Sequence, residues 1–196
     1  MKVLVVYCHP VAESFCAAMR DAALRGLEAA GHETRLIDLY ADNFDPRLTC
    51  EERLDYQDET RNTANVADQV ALVEWAEGLV FVFPTWWYGL PAMLKGWFDR
   101  VWVPGVAFDM PESGKVIRPA MTHIRAIAGI TSCGSPWWWM KVVGEPHRRI
   151  IMRGLAALCA RRPTRLWLAC YLMDTASEQK RERYLRKIEA RMAKFA

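Results

Sequence analysis

Apolar residues along this chain follow two rhythms. Lys2–Cys8, with Val-Leu-Val-Val-Tyr at its centre, is apolar and β-branched without alternation, as a strand buried on both faces must be. Leu79–Phe83, closed by Pro84, and His123–Ile130 repeat that pattern, and Arg165–Leu172 supplies a further strand. His32–Asp38 alternates polar and apolar, which suits a strand nearer a sheet edge. Between these runs the spacing lengthens to four. Phe15, Met19, Ala23 and Leu27 mark a helix over Ser14–Ala30 that stops at Gly31. Val66–Ala76 and Pro91–Val101 are predicted helices, and Trp137–Cys159 is helical in parts, interrupted near Gly144-Glu145-Pro146. Thr175, with Glu178 three residues on, reads as the capping box of a last helix carrying Tyr184, Ile188 and Met192. Leu39–Asn65, with one helical turn, and Pro104–Lys115 read as loops.

Five buried runs separated by helices predict an α/β fold: a doubly wound, five-stranded parallel sheet, three-layer, in a single domain over residues 1–196. In such sheets ligands sit beyond the carboxyl ends of the strands. That rule selects three loops: His9–Cys16, Pro84–Pro91 and Thr131–Trp139.

Composition narrows the partners. The chain is 52% hydrophobic and 25% charged, which excludes disorder as a class. Its longest uncharged stretches, Leu79–Leu94 and Ala126–Met140, fall short of about 18 consecutive apolar residues, so no membrane span is expected. The apolar N-terminal run breaks at His9-Pro10 without a small-residue cleavage site, and a cytoplasmic location is expected. Six scattered cysteines form neither a zinc pattern nor a disulfide framework, so no metal is expected. From Lys141 onward 14 Lys and Arg face 5 Asp and Glu, a local +9, against 12 and 18 before it. Nucleic-acid binding would explain that bias, but the arginines fall on helically spaced segments, so solvated helix faces explain it first and no nucleic acid is expected.

Neither G-x-G-x-x-G nor a Walker loop is present. The first selected loop joins a strand to a helix N-terminus, where free N–H groups, the Ser14 hydroxyl and His9 could hold a phosphate. Ser14 acting simply as a helix cap is the plain alternative. The second loop carries Trp86, Trp87 and Tyr88, and the third sets small hydroxyl residues before Trp137, Trp138 and Trp139. Two aromatic loops at neighbouring strand ends favour a planar cofactor over a hydrophobic plug or a subunit interface.

The run Pro84-x-x-Trp87-Tyr88-Gly89-x-Pro91-Ala92-x-Leu94-Lys95-Gly96-Trp97-Phe98-Asp99-Arg100-Val101 closely resembles the signature of the flavin-dependent NAD(P)H:quinone oxidoreductases, a flavodoxin-like group that includes DT-diaphorase. The opening strand with His9-Pro-x-x-x-Ser14-Phe15-x-x-Ala18, and Asp38-Leu39-Tyr40-Ala41-x-Asn43-Phe44-x-Pro46, resemble that family too. The resemblance implies a flavodoxin-like fold and hydride transfer from NADH or NADPH through a flavin to a quinone or similar flat acceptor. It implies FAD, with FMN as the alternative, and a homodimer. By the same resemblance His9, Ser14, Phe15, Cys16 and Ala17 hold the flavin phosphate end. Pro84, Thr85, Trp86, Trp87 and Tyr88 flank the isoalloxazine, and Thr131, Ser132, Cys133 and Gly134 meet its pyrimidine side. Trp87, Tyr88, Phe108 and Trp139 line the substrate pocket.

Departures accompany the likeness. The family's Thr-Gly-Gly is Ser-Cys-Gly here, and Phe108 and Met110 stand where its tyrosines follow the signature. Trp87, Tyr88 and Thr131 are the expected catalytic group, with His147 as candidate for the family's relay histidine and Glu145 next. His147 beside Arg148 and Arg149 also reads as an exposed surface residue. Cys133 reads as a packing residue rather than a redox thiol. A flavin-binding electron carrier, or a regulatory subunit of a potassium efflux system, is the rival reading.

Overall fold

The long apolar runs become the centre of a parallel sheet in a computed structural model, which describes residues 1–111 and 116–195. The chain order is β1 Lys2–Tyr7, α1 Phe15–Ala29, β2 Glu33–Asp38, α2 Cys50–Leu54, α3 Ala67–Trp75, β3 Gly78–Pro84 and α4 Ala92–Val101. There follow β4 Phe108–Asp109, β5 Arg118–Pro119, β6 Ala126–Cys133, α5 Trp137–Val143, α6 Pro146–Arg149, β7 Thr164–Tyr171 and α7 Glu178–Met192. A π-helical turn at Ile150–Gly154 and a 3-10 turn at Leu155–Ala157 continue α6.

The five-stranded sheet is parallel throughout, in the order β2-β1-β3-β6-β7. Connections turn one way from β1 to β2 and the other way from β3 onward, so the switch point lies between β1 and β3. Val3 lies opposite Gly78, Gly78 opposite Ala126 and Ala126 opposite Thr164, which brings the carboxyl ends out at one level. Every residue of β3 is buried, as its unbroken apolar run requires. On one face Val3, Val5, Val80 and Val82 meet Met19, Leu27, Ile188 and Met192 of α1 and α7. On the other, Leu4, Val6, Phe81 and Phe83 meet Val73, Trp97, Phe98 and Ile151. These are the three expected layers.

Glycine sets one close approach that matters. A Cβ on Gly96 of α4 would collide with the Pro46 carbonyl, so the Leu39–Asn65 segment can lie directly on that helix. The expected helical turn within that segment is α2, opened by a capping box of Thr49 and Glu52. Glu52 is buried, and Arg100 of α4 binds its carboxylate while donating also to the Asp45 carbonyl. At the opposite pole from the strand carboxyl ends, Met1 and Phe195 both pack against Gly78.

Two expectations change. The last helix is capped by Ser177, whose hydroxyl accepts from the Lys180 N–H, rather than by Thr175. Ala176 is buried in the preceding turn, and Thr175 donates back to the Leu172 carbonyl. Within the stretch read as a loop over Pro104–Lys115, Phe108–Asp109 pairs antiparallel with Arg118–Pro119, while residues 112–115 lie outside the described residues.

Candidate active site

The carboxyl ends of β3 and β6 open into a cavity of about 690 Å³ lined by residues 84–88 and 132–135 with Met140, Met173 and Asp174. The Thr85 N–H donates to the Ser132 carbonyl at 2.8 Å, which extends the β3–β6 ladder to the cavity floor. The chain then reverses sharply. The Gly89 N–H donates to the Trp86 carbonyl at 2.9 Å, and the two residues between, Trp87 and Tyr88, have φ of 48° and 62°. Large L-residues rarely occupy this left-handed region, and such strain persists only where surroundings over-determine it.

Three contacts hold the turn. The His147 ring lies edge-on to Phe83 and tilted against Trp167, and its Nδ1–H donates to the Tyr88 carbonyl at 2.9 Å. Trp139 donates its indole N–H to the Tyr88 hydroxyl at 3.1 Å. The third contact is the Thr85–Ser132 bond. His147 is therefore buried behind the turn rather than exposed at the surface, because Phe83 and Trp167 cover it. Burial pushes its imidazole below the usual value, against the opposing pull of the Tyr88 carbonyl and Glu145. It does not line the cavity.

The residues present fit a flavin by the chemistry of their donors. The Trp86 N–H is taken up in an antiparallel bridge to Gly89, whereas among the described residues the Trp87 and Tyr88 N–H groups make no hydrogen bond, and all three residues line the cavity. Such donors match the acceptor edge of an isoalloxazine. At the start of α1, Ser14 caps the helix by accepting from Ala17. The Phe15 and Cys16 N–H groups remain unbonded among the described residues, as a phosphate site at a helix N-terminus requires. Of the two readings of Ser14, the helix cap is the one the geometry shows. His9 sits 6.1 Å from the Trp86 ring, which links the first loop to the cavity.

Thr131 stands elsewhere than a cavity wall. It is fully buried, its hydroxyl 2.8 Å from that of Thr85, and Tyr184 donates to its carbonyl. The Cys133 thiol donates to the Thr85 hydroxyl, and burial pushes it up to about 11, so it packs as a thiol. Ser132 and Gly134 line the cavity, whereas Phe108 and Trp139 do not. Glu145 is buried with φ of 48°, bound by Lys141, Arg148 and Tyr171. Burial works to raise its carboxyl, and these partners outweigh it, holding the group below its usual value. Sequence reasoning missed Met173 and Asp174. The strand-end rule that selected three loops applies equally to the loop after β7, where both lie.

A family model described as a flavodoxin-like fold matches residues 1–192. Ribosyldihydronicotinamide dehydrogenase (quinone) of Homo sapiens is 35% identical over 126 residues, covering 56% of this chain and 54% of its own length. NAD(P)H dehydrogenase (quinone) 1 of Cavia porcellus is 32% identical over 151 residues, 68% of this chain and 54% of its own. The chain spans about half the length of the curated relatives it matches. Solved structures match over nearly all of its length. Smu.1420 from Streptococcus mutans UA159 superposes with a TM-score of 0.86 at 30% identity, over 99% of this chain and 100% of that one. The NAD(P)H:quinone oxidoreductase of Methanothermobacter marburgensis does so with 0.80 at 26%, over 98% and 94%. The matched residues run through all five strands and the helices on both faces, and the chain belongs to the flavodoxin-like fold family.

Proposed function

We propose that the chain is a flavin-dependent oxidoreductase that passes hydride from NADH or NADPH to a quinone or similar flat acceptor. The observation that carries this is the strained Trp87–Tyr88 turn, which presents unbonded N–H groups to an aromatic-walled cavity at the strand ends. The names of the relatives and of the Methanothermobacter marburgensis structure support it.

A bound flavin supplies the hydride acceptance and delivery that side chains lack. The protein's part is to bind, align and exclude water. The Phe15 and Cys16 N–H groups hold the phosphate end, beside His9, Ser14 and Ala17. Pro84, Thr85 and Trp86 flank the ring, and the turn's N–H groups fix its edge. Ser132, Cys133 and Gly134 bound the pyrimidine side. Trp87 offers a flat face to donor and acceptor in turn, with Tyr88 fixed by Trp139. His147 and Thr131 act as positioning residues, through the Tyr88 carbonyl and the Thr85 hydroxyl.

FAD is the flavin we propose, with FMN as the alternative, since the two share the ring and first phosphate. We also propose a homodimer in which the Phe108 segment completes a partner's pocket. All six cysteines are free, which supports a reducing, cytoplasmic setting. No helix among the described residues is long and apolar enough to cross a membrane. A visible spectrum of the purified protein tests the reading. Flavin bands should bleach on anaerobic NADPH or NADH and return on addition of a small quinone, and chromatography of the released cofactor separates FAD from FMN. Bleaching without sustained quinone turnover would favour the carrier. A colourless protein that takes up no added flavin would overturn the proposal.

A further inference from the structure

Strand β7 is an edge of the sheet, and the chain around it is one-sided in charge. From Pro146 to Met173 there are six arginines, no lysine and no acidic residue. A groove of about 380 Å³ straddles that edge. Arg165 and Trp167 line it from one face of the strand and Leu166 from the other. Arg148, Arg149 and Arg153 enter from α6 and the π-helical turn, and Arg191 from the last turn of α7. Every polar side chain in this lining is a hydrogen-bond donor. Among the described residues Arg149, Arg153, Arg165 and Arg191 make no ion pair and no side-chain hydrogen bond. The buried indole N–H of Trp167 has no acceptor either. Carboxylates on the flanking elements are engaged or lie elsewhere. Glu145 is bound by Lys141 and Arg148, Glu189 by Arg25, Glu182 by Arg186 and Glu77 by Arg125. Asp174 lines the cavity, and Glu178 stands in the first turn of α7, at the other end from Arg191.

Charge of one sign gathered without counter-charge repels itself, and a bound anion relieves that repulsion. Guanidinium forks fit phosphate oxygens two at a time, where lysines would supply only point charges. We propose that this groove binds a small molecule carrying a diphosphate, its phosphates held by Arg149, Arg153, Arg165 and Arg191 and its apolar part resting on Met152 and Leu166. The four guanidiniums converge on one recess from three elements instead of running in a line, and Arg161 and Arg162 lie outside it. That arrangement suits a compact anion better than a strand of nucleic acid. The groove shares no lining residue with the cavity. The packed rings of Trp167 and His147 stand between it and the Tyr88 turn. The inference goes beyond the reductase reading and does not depend on it.

Calorimetric titration of the purified protein with inorganic pyrophosphate tests it, with FAD present so that any phosphate site at the cavity is filled. Sulfate at matched ionic strength is the control. Pyrophosphate should bind at one site per chain and sulfate far more weakly, and high salt should loosen both. Arg153→Gln and Arg191→Gln should each weaken pyrophosphate binding about fivefold, whereas Arg161→Gln, outside the groove, should leave it unchanged. Neither groove variant should unfold more easily in urea, since each removes a charge that lacks a partner. No binding of pyrophosphate, binding matched by sulfate, or binding indifferent to both groove variants would overturn the proposal. The arginines would then serve to keep the open β7 edge from pairing with another chain. A single-stranded oligonucleotide held more tightly than pyrophosphate, and weakened as much by Arg161→Gln as by Arg153→Gln, would overturn it too, in favour of a nucleic-acid surface.

Discussion

Trp87 and Tyr88 carry bulky side chains on a backbone that L-residues avoid at a cost of about 1–2 kcal/mol each. Trp87 is 94% exposed, so little packing offsets that cost. Trp87→Gly should therefore raise unfolding stability by up to about 1 kcal/mol, less the extra entropy of glycine, while lowering quinone turnover. Urea titration and steady-state assay read the two effects. His147 supplies the matching constraint from behind. Its imidazole is depressed by burial, so the unfolded chain binds its proton more readily than the folded one. That contribution is full above the ordinary histidine value near 6.5 and is lost as pH falls below it. Urea midpoints at pH 7.5 and 5.5 should differ more in wild type than in His147→Gln, which also loses about 1 kcal/mol with the bond to Tyr88.

At the scale of elements, the Leu39–Asn65 segment depends on one buried ion pair. Glu52 caps α2 and binds Arg100 of α4, both nearly fully buried. Burial works to raise the Glu52 carboxyl, but Arg100 and Thr49 outweigh it and hold the group below its usual range. Its contribution is present above the ordinary carboxylate range and lost as pH falls through the depressed value. Glu52→Gln leaves the Arg100 charge uncompensated and should cost about 3 kcal/mol in urea unfolding. The strands were legible because a run buried on both faces leaves an unbroken apolar record, and β3 is the plainest case. Two-residue strands leave no such record, so the β4–β5 pair was invisible. Ser177 and Thr175 are both competent caps, and burial of Ala176 between them decides the helix start. For His147, neighbouring Arg148 and Arg149 suggested solvent, while its covering residues, Phe83 and Trp167, lie far away in sequence.

Across the whole molecule, two of the three loops that line the cavity could be read from the strand-end rule and their aromatics. The third holds Asp174, which has no aromatic to advertise it and is the one charged side chain among the described lining residues. Its carboxylate occupies the space a Gly134 Cβ would need. An anion at the mouth meets about 1 kcal/mol of repulsion per unit charge at 4 Å in water. If the reductase reading holds, Asp174→Asn should raise kcat/KM for a sulfonated quinone about fivefold at low salt and leave an uncharged quinone unchanged. The advantage should shrink as ionic strength rises.

Met1 and Phe195 meet at Gly78, at the pole opposite the cavity. A short linker could therefore join the two ends, and a circularly permuted chain reopened in an exposed loop would keep the sheet order intact. For the same reason an affinity handle or immobilising fusion at either end would stand clear of both the cavity mouth and α5, so the protein could be tethered to an electrode or bead with its working end facing outward.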